Sequence, residues 1–180
     1  MSESIVTARE SPPSVEELIA ELYALGLHFV IGEKPLHTTQ RLPPEDLLAG
    51  LARQTDARLR MALTALFLYR PTLVSAIPGA LARLKEIHQT NLKLFYTAAA
   101  ILQFVYVERL QAHLPLWQPL PDLFSQELNI PQRGDPHERL RHLSARHYEI
   151  SGLAVNWVGT YQYAATRLIT RLEKEEAWAA

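Results

Sequence analysis

The chain has 180 residues, 48% of them hydrophobic and 21% charged, with a net charge of −1. This size and balance fit one globular domain, and the missing basic surplus disfavours a general nucleic-acid binder or a surface held to anionic lipid by charge alone. The chain has no cysteine, which excludes disulfides, thiolate zinc sites, iron–sulfur clusters and a cysteine nucleophile.

Residues 1–13 are polar, with two prolines and no apolar run. They read as a disordered tail rather than a signal peptide. Ser14 and Glu17 have capping-box spacing, so a helix is expected from about Val15, with Gly26 as its stop. "LHFVI" (27–31) has strand-like residue types, though five residues alone do not separate a strand from an extension of the helix, and 32–42 reads as a loop. Pro43 and Pro44 suit a helix entry, because a first-turn proline loses no intrahelical bond. That helix should run to about Arg53. Thr55 or Asp56 can cap the next, which ends before Pro71. Pro78 should kink or split the one after it.

The most apolar window is Leu94–Val107, 14 residues between Lys93 and Glu108. At ~1.5 Å per residue it spans ~21 Å, short of a ~30 Å hydrocarbon core. It reads as the buried part of a long helix from about Gln89 to His113. "LPLWQPLP" (114–121) is an extended connection, "DLFSQEL" (122–128) a short helix, and "NIPQRG" a loop. Asp135, Pro136 and Glu138 announce another helix, stopping near Gly152, and Asn156 can cap the last. The expected fold is all-α: seven or eight helices with stacked hairpins around a buried central helix. The expected organisation is one domain over 14–180, divisible at most into hairpins over 43–113 and C-terminal helices over 122–177. A cytoplasmic location is expected.

Several chemistries have no signal. No phosphate-cradling glycine loop, HExxH or GxSxG is present, and no two histidines stand four apart. No metal or cofactor is therefore expected. Glu16–Glu17 and Glu45–Asp46 fall in first helical turns, where the helix dipole accounts for them.

"RHLSARH" (141–147) resembles the Arg–polar–x4–His motif of HEPN-type helical ribonucleases through Arg141, His142 and His147. The resemblance implies that the arginine stabilises phosphate charge, that the histidine does acid–base chemistry, and that two copies share a cleft. The chain's 14 arginines and 7 histidines make such a spacing easy to reach by chance. Six helical residues are also ~9 Å of rise and ~120° of rotation apart. Leu140, Leu143, His147 and Ile150 form one apolar stripe, while Arg139, His142, Arg146 and Glu149 form the opposite, solvated one. On this pattern His147 is a buried, hydrogen-bonded, neutral histidine.

Farther along, Trp157, Tyr161, Ala164, Leu168 and Leu172 make a core stripe. Tyr163, Arg167, Arg171 and Lys174 make the other face, a candidate interaction surface together with Trp117 of the proline-rich connection. Arg58 and Arg60 follow Asp56, where local ion pairing is expected.

"DLLAGLARQTDARLRMALTALFLYRP" resembles a HEAT-type helical hairpin, on which 72–84 and 89–107 would stack as a second pair. "LPDLFSQELNIP" with "SGLAVNWVGTY" resembles an uncharacterised bacterial helical family, often encoded beside small nucleotidyltransferase-type genes as in toxin–antitoxin pairs. That resemblance implies a protein-bound regulatory partner, with a homodimer also open. The first reading is accordingly a non-enzymatic, antitoxin-like interaction protein. The alternatives are a metal-independent ribonuclease using Arg141 and His147, and a DNA-binding regulator.

Overall fold

The computed structural model describes residues 11–28 and 41–179. Among them the chain forms seven α-helices and no strand: α1 Val15–Ala24, α2 Pro44–Arg53, α3 Ala57–Tyr69, α4 Ile77–Ala82, α5 Glu86–His113, α6 Pro136–Ser151 and α7 Trp157–Ala179. A 3₁₀ stretch, Pro71–Ala76, precedes α4. The all-α expectation holds.

Helix ends follow the local chemistry. Ser14 and Glu17 close a full capping box on α1. Asp56 accepts from Arg58 N at 2.8 Å and Asp135 from Glu138 N at 2.9 Å, so each satisfies a first-turn N–H that has no partner within its helix. Asn156 does the same for Gly159 N at 2.9 Å. Gly152 ends α6 at φ +67°, a left-handed conformation that glycine adopts without a Cβ clash. Pro78 splits the run after Pro71 into the 3₁₀ stretch and α4.

Two helices form the centre. In α3 every residue from Ala62 to Leu68 is buried, and in α5 every residue from Leu94 to Gln103. A helix apolar on all faces must be enclosed. Here α2, α6 and α7 pack on α5, and α2, α5 and α7 on α3. Tyr106–Thr166, Arg109–Glu173 and His113–Glu176 pair in ascending order, so α5 and α7 run parallel. Among the described residues no single helix is long and apolar enough to cross a membrane.

The connection from α5 to α6 has no regular structure, yet it is pinned by side chains. Gln103 is 3% exposed. Its Nε2 donates to Leu120 O at 2.8 Å, and its Oε1 accepts from Leu120 N at 2.7 Å. One buried amide thus replaces a strand partner. Tyr96 donates to Pro121 O at 2.7 Å and Trp117 Nε1 to Leu68 O at 2.9 Å. Glu21, buried on α1, similarly receives Arg41 Nε at 2.9 Å and Leu42 N at 3.2 Å.

Two expectations change, and one falls mostly outside the described residues. "DLFSQEL" is not a helix but a set of turns, with Leu128 N bonded to Phe124 O and Asn129 at φ +58°. Pro121 and Pro131 confine it to nine residues, near the length at which helices lose stability. Pro13, assigned to a disordered tail, is buried and lies beside Gly50 of α2, where an added Cβ would meet its Cγ at 3.3 Å. Of the strand-like 27–31, only Leu27 and His28 fall within the described residues; 1–10 and most of the 32–42 loop lie outside them.

Gln103→Leu should orphan the Leu120 N–H and C=O. At about 1–3 kcal/mol for each buried unpaired group, urea unfolding should show a loss of roughly 2–6 kcal/mol, with the helical circular dichroism of the native state retained.

Candidate functional site

The residues singled out by the Arg–His motif separate. Arg141 lies on the outer face of α6, its side chain 60% exposed and ion-paired with Glu138 one turn back. His142 is exposed. His147 is 2% exposed. Helix rotation has sent Arg141 and His147 to different faces, and within one chain they do not meet.

His147 enters a box of aromatic rings. Trp157, the first residue of α7, stacks on it at 3.4 Å between centroids and 14° between planes. Phe95 of α5 meets it edge-on at 5.7 Å and meets Tyr161 the same way, also at 5.7 Å. The Tyr161 hydroxyl lies 2.5 Å from His147 Nδ1. Among the described residues that hydroxyl has no other hydrogen-bond partner, and its proton must go somewhere. It therefore donates to Nδ1, which places the neutral imidazole proton on Nε2. Burial, with the nearby Arg60 charge as a second cause, pushes the His147 pKa from 6.5 down to about 3. Burial alone raises the Tyr161 hydroxyl far above its ordinary value. A neutral histidine and an un-ionised phenol are thus the stable pair at neutral pH.

Arg139 and Ile150 correct the two-stripe reading of α6. Arg139, assigned to the solvated face, is 5% exposed. Its Nε donates to Pro131 O at 2.6 Å, and its guanidinium reaches Asp122 at 3.0 Å and Ser125 Oγ at 3.3 Å. It holds the turn-rich connection against α6, so its polar atoms are satisfied where an apolar residue would leave carbonyls bare. Ile150, assigned to the inner stripe, is 41% exposed, one residue from the end of α6.

The candidate interaction residues fall in two places. Trp117 is 7% exposed and donates into its own chain, so its ring covers α3 rather than facing outward. Tyr163 is exposed, with the Arg167 guanidinium 5.8 Å from its ring centroid. Arg171 is paired with Glu175 at 2.6 Å. A groove of about 260 Å³ runs beside Arg167, Arg171, Lys174 and Trp178.

Arg60 was expected to pair with Asp56. Asp56 caps α3 and also acts by charge on Arg60, whose pKa burial nonetheless pushes down; no direct ion pair closes between them, and the Arg60 Nε is buried without a hydrogen-bond partner. The Arg60 charge also lowers the pKa of His147, 87 positions away in sequence on α6. No sequence spacing signals that neighbour. Among the described residues, no group of three or more acidic or histidine side chains is arranged to hold a metal. Comparison with family models, curated proteins and solved structures finds no match to the chain.

His147→Ala should remove the stacked ring and orphan the Tyr161 hydroxyl, costing about 2–4 kcal/mol and several degrees of melting temperature in a calorimetric scan. Arg141→Ala, which removes an exposed ion pair, should stay within about 0.5 kcal/mol. The pH dependence carries a sign. Below 6.5 the unfolded His147 binds a proton that the folded form refuses until about 3. Its contribution is full above 6.5 and falls by about 1.4 kcal/mol per pH unit as the pH drops toward 3. Stability curves should show this slope in the wild type and a shallower one in His147→Gln, and NMR should find the His147 ring neutral at pH 4.

Proposed function

We propose that this chain is a non-enzymatic, cytoplasmic helical interaction protein, an antitoxin-like regulatory partner of a separately encoded bacterial enzyme. The observation that carries the reading is the α6–α7 corner. There Tyr148, Ile150, Leu153 and Val155 are 53%, 41%, 51% and 47% exposed within eight residues. Large apolar side chains gathered in the open mark association surfaces more often than scattered single ones do. The corner is held in shape by Gly152 in its left-handed conformation and by Leu153 N donating to Ser151 Oγ at 3.2 Å. A surface formed before binding loses little entropy on association.

The residues of the Arg–His motif add support from the other direction. His147 is buried against Tyr161 while Arg141 lies exposed on a different face of α6, so within one chain the two do not converge on a phosphodiester. The net charge of −1 disfavours a DNA-binding role.

Co-expression with the product of the neighbouring gene tests the reading. The two proteins should co-purify, and Ile150→Glu combined with Leu153→Glu should separate them without lowering the melting temperature. A chain that stays a lone monomer beside its neighbour's product sinks the proposal. Cleavage of RNA without metal, lost in Arg141→Ala, would install the ribonuclease in its place.

A further inference from the structure

One side of α7 faces outward along most of its length. Tyr163, Arg167, Thr170, Lys174 and Trp178 stand three or four residues apart, so they share one helical stripe, and all five are exposed. Arg171, partly buried, borders that stripe. Its guanidinium lies 3.6 Å from the place a Cβ on Gly26 would occupy, so the end of α1 stands beside this part of α7. The groove of about 260 Å³ is lined here by Arg167, Thr170, Arg171, Lys174, Glu175 and Trp178.

The acidic run Glu-Lys-Glu-Glu at 173–176 does not neutralise this groove. Glu173 is taken by Arg109 at 2.5 Å and Glu176 by His113 Nδ1 at 2.7 Å, both on α5, and neither lines the groove. Glu175 does line it, and its carboxylate holds Arg171 at 2.6 Å. Arg167 and Lys174 have no acidic partner among the described residues; the Arg167 guanidinium lies 5.8 Å from the Tyr163 ring centroid instead. The helix dipole favours cations only near the last turn. Arg167 lies about three turns before Ala179, so the dipole does not account for it.

Two uncompensated cations therefore flank one groove, on a chain whose net charge is −1. Seven helical residues separate them by roughly 10 Å, the reach of about three residues of extended chain. Trp178, 90% exposed, stands at the end of the groove as an aromatic ring without cover. Aromatic rings of this kind anchor protein contacts, and the aliphatic stems of arginine and lysine add apolar surface beside them. A nucleic acid asks for a longer run of cations, and the net charge is against it. We propose that this groove is a docking site for an acidic segment of a partner protein, its carboxylates meeting Arg167 and Lys174 and an apolar side chain packing on Trp178. The proposal rests on the reading of the chain as an interaction protein, but not on the corner at Tyr148–Val155, which is a separate surface.

The probes are a short synthetic peptide of Asp and Glu with a central Leu, its counterpart with Lys at each acidic position, and a single-stranded RNA matching the first in net charge. Each is titrated into the full ¹⁵N-labelled chain at constant, near-physiological ionic strength. The acidic peptide should shift the Trp178 indole N–H and the backbone amides around Arg167 and Lys174 saturably. The indole of Trp157, 2% exposed, should stay in place, and the lysine peptide should shift nothing. Arg167→Glu combined with Lys174→Glu should weaken binding about tenfold or more with the melting temperature unchanged, since both positions are exposed. Arg167→Gln with Lys174→Gln, which removes the charges without reversing them, should lose less. Trp178→Ala should weaken binding about threefold. Ile150→Glu with Leu153→Glu should leave the titration as it was, so lost co-purification beside an intact titration counts against the corner and not the groove. No saturable shift with the acidic peptide overturns the groove, as does equal affinity in the Arg167→Glu, Lys174→Glu variant. RNA binding as tight as the acidic peptide's assigns the face to nucleic acid and overturns it too. So does a dimer in sedimentation that the same two substitutions dissociate, which gives the groove to a second copy of the chain.

Discussion

From Leu94 to Gln103, α5 has no face turned to water. The rest of the fold answers to that constraint. A helix enclosed on every side needs neighbours around its whole girth, and α2, α3, α6 and α7 supply them. Enclosure also turns each polar atom in the helix into a demand for a partner. Thr97 meets its demand within α5, by donating to Lys93 O at 2.7 Å. Gln103 and Tyr96 meet theirs across the gap, and so fix the path of a connection that has no ladder of its own. Thr64 of α3 donates to Phe95 O at 3.0 Å and ties the two central helices together. Burial of apolar surface supplies the driving force, while these few polar contacts select one arrangement among many compact ones.

The same logic places the aromatic box. Phe95 is the α5 residue against which His147, Trp157 and Tyr161 gather. The imidazole is tolerated inside because Tyr161 satisfies one nitrogen and burial keeps the ring uncharged. A histidine that looks reactive in sequence is in this setting a packing element with a polar edge.

What was legible in the sequence was the chemistry of neighbours in the chain. Ser14 with Glu17, Asp56, Asp135 with Pro136, Asn156 and Gly152 act within a few residues, so their spacing announces each helix end. The inward side of His147 was readable from Leu140 and Leu143, since a helical period repeats. Arg139 was not readable, because its burial depends on Pro131, Asp122 and Ser125 arriving from another segment. A charged residue type gives no sign that three acceptors await it. Arg60 eluded the reading for the same reason: α3 brings it to a histidine far along the chain. The turns at 122–128 show the limit of pattern, as their residue types suit a helix and the flanking prolines deny it the length.

The pinned connection between α5 and α6 has a consequence for the order in which the chain becomes native. Trp117 is held by a group on α3, and Leu120 and Pro121 by groups on α5, so the stretch as a whole is seated only where both central helices are in place. This stretch cannot act as an early nucleus; it settles late, onto a surface already made. Read in reverse, it is a natural first segment to detach, because losing it breaks a handful of side-chain bonds and leaves every helix intact. Arg139 joins that segment to α6, so such an opening would first slacken the hold on α6 and, through it, the covering of His147. A local event in a stretch without helix or strand thus reaches the rings gathered around Phe95.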